Sequence, residues 1–163
     1  MIDNYAFNGC ASLTDIYWGN DLRDIGENAF IDTALENLTV DAEHIGNGAF
    51  RRAKLKSLTL TDRVKRIEMG AFAENPDLTE IRIGFTDADV FEEYSHFQGA
   101  AESGITTIVP ERITEEEMKA MQRKLSAGNF NYLNNENVLT PGDVTAPRKD
   151  RPDAEALRET FVR

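Results

Sequence analysis

Ile25-Gly26-Glu27-Asn28-Ala29-Phe30 and Ile45-Gly46-Asn47-Gly48-Ala49-Phe50 are one phrase written twice, 20 residues apart. Looser copies flank them. The pair Ala-Phe recurs at Ala6-Phe7 and Ala71-Phe72, so the four copies are spaced by 23, 20 and 22 residues. Four residues before each Ala stands an isoleucine: Ile2, Ile25, Ile45 or Ile67. Five or six residues after each Phe comes Leu13, Leu35, Leu55 or Leu78. Ile16, Leu38, Leu58 and Ile81 follow three residues later, then Trp18, Val40, Leu60 and Ile83 two beyond those. A degraded fifth copy runs from His96-Phe97 through Ile105, Ile108 and Pro110. Self-similarity at this period signals a solenoid.

The pattern L-x-x-I/L-x-Φ predicts a short strand whose last two apolar residues point into a core while the residues between point out. One coil of 20–23 residues cannot bury its apolar side alone. Stacked coils share a continuous core, and each strand pairs in parallel with its neighbours. Each Phe fills the far side of that core, and the small Ala lets the chain turn back closely. Three residues after each Phe stand Cys10, Thr33, Ala53, Asn75 and Ala100. This row of small residues is read as buried, which makes Cys10 a core member and not a nucleophile.

The unit I-G-x-x-A-F-x-x-C/A-x-x-L-x-x-I/L-x-Φ resembles the BspA-like leucine-rich repeat, over roughly residues 1–110. The resemblance implies a β-rich α/β repeat solenoid, a right-handed superhelix with a parallel sheet. It also implies a protein-binding role, often on bacterial or protist surfaces, and no enzymatic activity. The chain departs from the repeat where Glu68 replaces the Gly, where residues 84–94 are inserted, and where Pro110 takes a strand position.

Beyond Pro110 the pattern changes. Thr114 and Glu117 form a capping box, with Ile113 placed to staple onto Met118. Met118, Met121 and Leu125 share one helical face, Arg123 and Lys124 suit the helix C-terminus, and Gly128 is the stop. The expected organisation is a solenoid of four to five coils over 1–110, a capping helix over 111–128, and a polar tail over 129–163. The tail carries a short helix at Pro152–Phe161, with Leu157 and Phe161 one turn apart.

The net charge of −11 is unevenly spread. Residues 1–50 carry nine acids and one base, and residues 84–117 carry the same. Residues 51–83 have a surplus of three bases, and residues 118–163 a surplus of two. Overall acidity argues against direct nucleic-acid binding, because phosphate affinity comes from cations. It favours a protein partner, a basic one included. The runner-up reading is an acidic inhibitor or nucleic-acid mimic that blocks a basic groove.

No run of apolar residues is long enough to cross a membrane. The first residues lack the basic and apolar regions of a signal peptide, so the chain reads as cytoplasmic as written, or as cell-surface or secreted if it is a fragment. No cofactor or metal is expected. His44 and His96 have no ligand companions at metal spacing, and Asp87, Asp89, Glu92 and Glu93 lack the EF-hand pattern. No catalytic motif occurs, so no catalytic residues are assigned.

Two surfaces are candidate sites. The first is the outward face of the strands, comprising Asp15, Tyr17, Asn37, Thr39, Ser57, Thr59, Glu80 and Arg82, extended by Thr107 and Val109 in the fifth coil. The second is a basic island of Arg51, Arg52, Lys54, Arg63, Lys65 and Arg66, with Lys56 beside it. The edge strand at Leu13–Trp18, uncovered on one side, is a template for self-association. Trp18 is read as a core residue, with an interface anchor as the sharper reading.

Overall fold

The computed structural model describes residues 1–93, 95–100, 104–126 and 138–145. Two parallel sheets run along the stack. The larger contains β2 (Asn37–Val40), β4 (Ser57–Leu60), β6 (Glu80–Ile83), β7 (Thr106–Ile108) and β8 (Val138–Leu139), in that order. The smaller contains β1 (Asp24–Ile25), β3 (His44–Ile45) and β5 (Arg66–Ile67). Single bridges extend it to Ile2 at one end and Phe91 at the other. The repeated isoleucine is therefore a strand residue in its own ladder. A two-residue strand carries no periodicity that a sequence could display.

Between the ladders the phenylalanines form one column. Phe7, Phe30, Phe50, Phe72 and Phe97 stack with centroids 5.0, 5.2, 5.6 and 5.7 Å apart and planes within 10° of parallel. Phe30, Phe50, Phe72 and Phe97 are essentially fully buried, as are Ile25, Ile45, Ile67, Leu35, Leu55 and Leu78. Burying one such side chain stabilises by about 1.5–3 kcal/mol, so the shared column and its walls dominate the energetics.

The Ala-Phe turn works because the backbone turns left-handed on both sides of it. Two residues before each Phe, Tyr5, Asn28, Gly48, Gly70 and Ser95 all have φ between 51° and 67°. Two residues after, Gly9, Asp32, Arg52, Glu74 and Gly99 do the same, with φ between 51° and 80°. Gly26 has a different reason: a Cβ there would stand 2.5 Å from the Asn4 amide, so the coils could not close up.

The small-residue row is buried at Thr33, Ala53, Asn75 and Ala100. Asn75 is the largest member, and its amide is fully used. Its Nδ2 donates to the Phe50 and Phe72 carbonyls at 3.0 and 2.9 Å, and its Oδ1 accepts from the Leu55 amide at 3.1 Å. Cys10, expected in this buried row, is exposed. It sits on the terminal coil, and no described coil lies against its outer side.

Two further expectations about the first and fifth coils need correction. Leu13–Trp18 forms no strand. The edge strand is β2, and Trp18 turns its indole onto the column, edge-on to Phe30 at 5.6 Å and Phe50 at 6.2 Å, with Nε1 donating to the Thr39 carbonyl. In the fifth coil the register is displaced by one residue. Thr107 pairs opposite Ile81 and Ile108 opposite Arg82. Thr107 and Val109 therefore face inward, at 0% and 1% exposure, and Ile108 faces outward. A one-residue slip reverses every side chain. Ile108 tolerates the outward face because Leu139 and Val144 cover it.

That cover comes from within the stretch expected as polar tail. β8 joins the large sheet beside β7, and helix α2 (Pro141–Thr145) follows it. Thr140 and Asp143 cap each other: the Thr140 amide donates to Oδ2 at 3.0 Å and the Asp143 amide to Oγ1 at 3.3 Å.

Helix α1 (Glu115–Ser126) starts at a reciprocal cap, with the Glu117 amide donating to Thr114 Oγ1 at 3.2 Å and the Thr114 amide to Glu117 Oε2 at 2.8 Å. Met121 and Leu125 are buried in the core, and Met118 packs at its margin. The insertion at 84–94 builds the floor beneath α1. It contributes buried Phe85, Ala88, Val90 and Phe91, and its 3-10 helix Ala88–Val90 contacts α1. Gly128 and the helix expected at Pro152–Phe161 lie outside the described residues.

Candidate functional site

The outward strand positions align into rows across the large sheet. Asn37, Ser57, Glu80 and Thr106 form one, and Thr39, Thr59, Arg82 and Ile108 the next. Parallel pairing places row neighbours about 4.8 Å apart. Asn37 and Thr39 are exposed, while Ser57, Thr59, Glu80 and Arg82 are half-buried. Ser57 Oγ donates to Asn37 Oδ1 at 2.8 Å, so the row is linked sideways.

Asp15 and Tyr17 lie on the unpaired first coil instead of a strand, and both are exposed. Among the described residues Tyr17 is the most exposed large hydrophobic, at 92%. A groove of about 380 Å³ separates its segment, Thr14–Asn20, from Asn37–Thr39. Thr107 and Val109 do not belong to the face, and Ile108 closes its far end under Leu139 and Val144. What remains offers hydroxyl and amide groups, the carboxylates of Asp15 and Glu80 and the guanidinium of Arg82, bounded on one side by the exposed Tyr17 ring.

The basic island divides between two turns, and most of its charge is met inside the molecule. On the Ala-Phe side, Arg51 pairs with Glu74 at 2.6 Å, while Arg52 bridges Asp32 at 2.7 Å and Glu74 at 3.0 Å. On the small-sheet side, Arg63 pairs with Asp41 at 3.2 Å, Lys65 with Glu43 at 3.5 Å, and Arg66 with Glu92 at 2.6 Å. Lys56 pairs with Glu36 on the neighbouring coil at 3.3 Å. Lys54 is exposed and makes no ion pair among the described residues. The carboxylates respond. Hydrogen bonds from Arg52 lower the pKa of Asp32, those from Arg51 and Arg52 lower that of Glu74, and one from Arg66 lowers that of Glu92.

The histidines have separate surroundings. His44 lies between Asp24 and Glu68, with Nδ1 at 3.3 Å from the first and Nε2 at 3.0 Å from the second. His96 fills the Ala position of the fifth coil, 2% exposed and 5.3 Å from the Phe91 ring. Both ring nitrogens are buried, and burial lowers its pKa to about 4 against the opposing pull of the Glu92 and Glu68 backbones. Among the described residues no three His, Cys, Asp or Glu side chains converge as metal ligands. Asp87 instead caps the 3-10 helix, its Oδ1 accepting from the Asp89 amide at 2.9 Å.

The family model of the BspA type leucine-rich repeat region matches residues 1–103 in six copies. The chain belongs to that family. Comparison with curated proteins and with solved structures gave no match. BspA-type repeats form solenoid scaffolds, and such repeats generally mediate protein–protein interaction through surfaces shared by successive coils. In this BspA-type chain the groove beside Tyr17 was not visible in the sequence. Its signal was a bulky aromatic at an outward position of an alternating stretch, a place where polar residues are the rule.

Proposed function

We propose that this BspA-type repeat is a non-catalytic protein-interaction module that receives its partner on the outward strand face, between Tyr17 and Arg82. The supporting observation is the 92% exposed Tyr17 ring standing over a groove bordered by Asn37 and Thr39. Aromatic anchors beside polar, hydrogen-bonding rims are where interface energy concentrates. The groups with resolved pKa shifts support a non-catalytic reading. They are ion-paired between coils, capping a helix or, for His96, sealed in the core.

The alternative of an acidic mimic draws less support. Asp24, Asp32, Glu36, Asp41, Glu43, Glu68, Glu74 and Glu92 are each within ion-pairing distance of a basic side chain. The test is capture of a partner from the source cell by the wild type and by Tyr17→Ala/Arg82→Glu. The double variant is expected to weaken binding roughly tenfold or more, while Lys119→Ala on α1 leaves it unchanged. Binding that survives the double variant removes the strand face as the site. Binding that instead collapses between low and high salt favours the mimic.

A further inference from the structure

Backbone bonds pin the third coil to the second on the large-sheet side. The Lys56 and Ser57 amides donate to the Glu36 carbonyl at 2.6 and 3.2 Å, and the Thr61 amide donates to the Val40 carbonyl at 3.2 Å. One coil earlier these bonds are missing. The amides of Asn37 and Asp41, equivalent to those of Ser57 and Thr61, have no acceptor among the described residues. The Glu36 and Val40 carbonyls point at the third coil, so the alternation of a parallel ladder turns the main-chain groups of Asn37, Thr39 and Asp41 toward the first. The Thr39 carbonyl agrees, since it takes the Trp18 indole N–H.

The groove between Thr14–Asn20 and β2 therefore has an unpaired strand edge as one wall. It lies between two described coils and not on the end of the stack. The Leu13 carbonyl still accepts from the Ala34 amide at 2.9 Å, and the two chains part only after that bond. Ile16, Trp18, Leu35 and Leu38 supply the apolar lining, with Asp15 and Tyr17 exposed at the rim.

Three features select the occupant. Donors on every second residue match an extended chain, whose own carbonyls alternate at the same period. The volume of about 380 Å³ is at the small end of the range of about 300–1,000 Å³ for ligand pockets, which fits a short stretch of chain and not a folded sheet edge. Residues 1–22 carry three acids and no base, and Asp15 is bonded only by the Thr14 hydroxyl, so the complementary side chain at the rim is basic.

Resting on the strand-face reading above, we infer that β2 takes an extended, basic peptide segment of a protein partner as an added strand. Its carbonyls accept from the amides of Asn37, Thr39 and Asp41. An apolar side chain enters between Ile16 and Leu38, and a neighbouring lysine or arginine lies between the Tyr17 ring and Asp15.

The probe is a blocked pentapeptide of alternating lysine and valine, added at millimolar concentration to the full chain. Amide hydrogen exchange at Asn37, Thr39 and Asp41 should slow about fivefold or more. Two further peptides carry N-methyl groups, on the lysines in one and on the valines in the other. An added strand presents one edge to β2, so one of the two should bind about tenfold more weakly and the other as before. Asp15→Asn should weaken the unmethylated peptide severalfold at low salt and little at high salt. Equal binding of the two methylated peptides, or no protection at the three amides, overturns strand addition. If Tyr17→Ala/Arg82→Glu still abolishes partner capture in that case, the strand face stands without it. Protection by the peptide, with capture intact in the double variant, upholds the edge and removes the face as the partner's site. Amides already protected in the dilute chain alone give the edge to a segment of this chain. Protection that grows with protein concentration, with a dimer in sedimentation, gives it to a second copy, and either result overturns the inference.

Discussion

Arg52 holds Asp32 with two parallel bonds, Nε to Oδ1 at 2.7 Å and Nη2 to Oδ2 at 3.1 Å, and reaches Glu74 with Nη1 at 3.0 Å. One guanidinium thus ties three consecutive coils at the surface, in the forked geometry that arginine offers and lysine lacks. Arg52→Gln should return the carboxyl titration of Asp32 most of the way, and that of Glu74 in smaller part, toward the ordinary range, because Arg51 still attracts Asp32 and still bonds Glu74. Carbon-detected NMR titration reads this. Thermal stability should move little, since exposed pairs are screened by water. Unchanged carboxyl titrations would remove the bridge.

Asn75 predicts a larger effect. Asn75→Leu deprives the Leu55 amide and the Phe50 and Phe72 carbonyls of a buried partner. A loss of about 2–4 kcal/mol is expected in urea denaturation. Thr33→Ala, in the same row, removes one hydroxyl bonded to the Phe30 carbonyl at 2.8 Å and should lose only about 1 kcal/mol. Equal losses for the two would contradict the difference in their hydrogen bonding.

Thr107 offers a gain. Its Oγ1 is buried without a partner among the described residues, at a position equivalent to Leu38, Leu58 and Ile81. Thr107→Val keeps the shape and deletes the stranded hydroxyl, so the midpoint of denaturation should rise by the equivalent of about 1 kcal/mol. Destabilisation would show that the hydroxyl has a partner after all.

His96 makes stability depend on acid. Its folded pKa is about 4 against 6.5 unfolded, so between those values the unfolded chain binds a proton that the folded chain refuses. Stability must fall as pH drops from about 6.5 to about 4, by about 3 kcal/mol at most. The depressed carboxyls of Asp32, Glu74, Glu92 and Glu117 act in the same direction as they are protonated at lower pH. His96→Ala restores the repeat residue and should flatten the slope of stability against pH in that window, whatever it does to stability at pH 7. A slope unaltered by the substitution would place the acid sensitivity elsewhere.

The repeat was legible because coils at a fixed period must present the same residues to the same core. Phe30 and Phe50 announce the column, and Leu38-x-Val40 announces the strand. The ion pairs also left a trace: Asp32, Arg52 and Glu74 are opposite charges at one-coil spacing. The fifth coil was misread for a physical reason. Ile105-x-x-Ile108-x-Pro110 imitates the strand pattern, yet Ile108 faces outward because Leu139 and Val144, some thirty residues on, cover it. Cys10 was misread because a pattern assigns a residue to a row without stating whether anything lies beyond it. Tyr17 was on the candidate list, but the groove at its side follows from the failure of Leu13–Trp18 to join the sheet, which the alternation of that segment gives no sign of.

Because the backbone hydrogen bonds between described coils join neighbours, the stack has a mechanical grain, crossed at one side chain where Arg63 Nη2 donates to the Leu22 carbonyl at 3.0 Å. Tension applied at Met1 loads the junction between the first and second coils before any other. That junction contains the single bridge between Ile2 and Ile25, with no strand pairing at Leu13–Trp18. The molecule should peel instead of snapping. Each step releases one period of 20–23 residues, roughly 7–8 nm of contour at about 3.5 Å per residue, and the weakest rupture comes first.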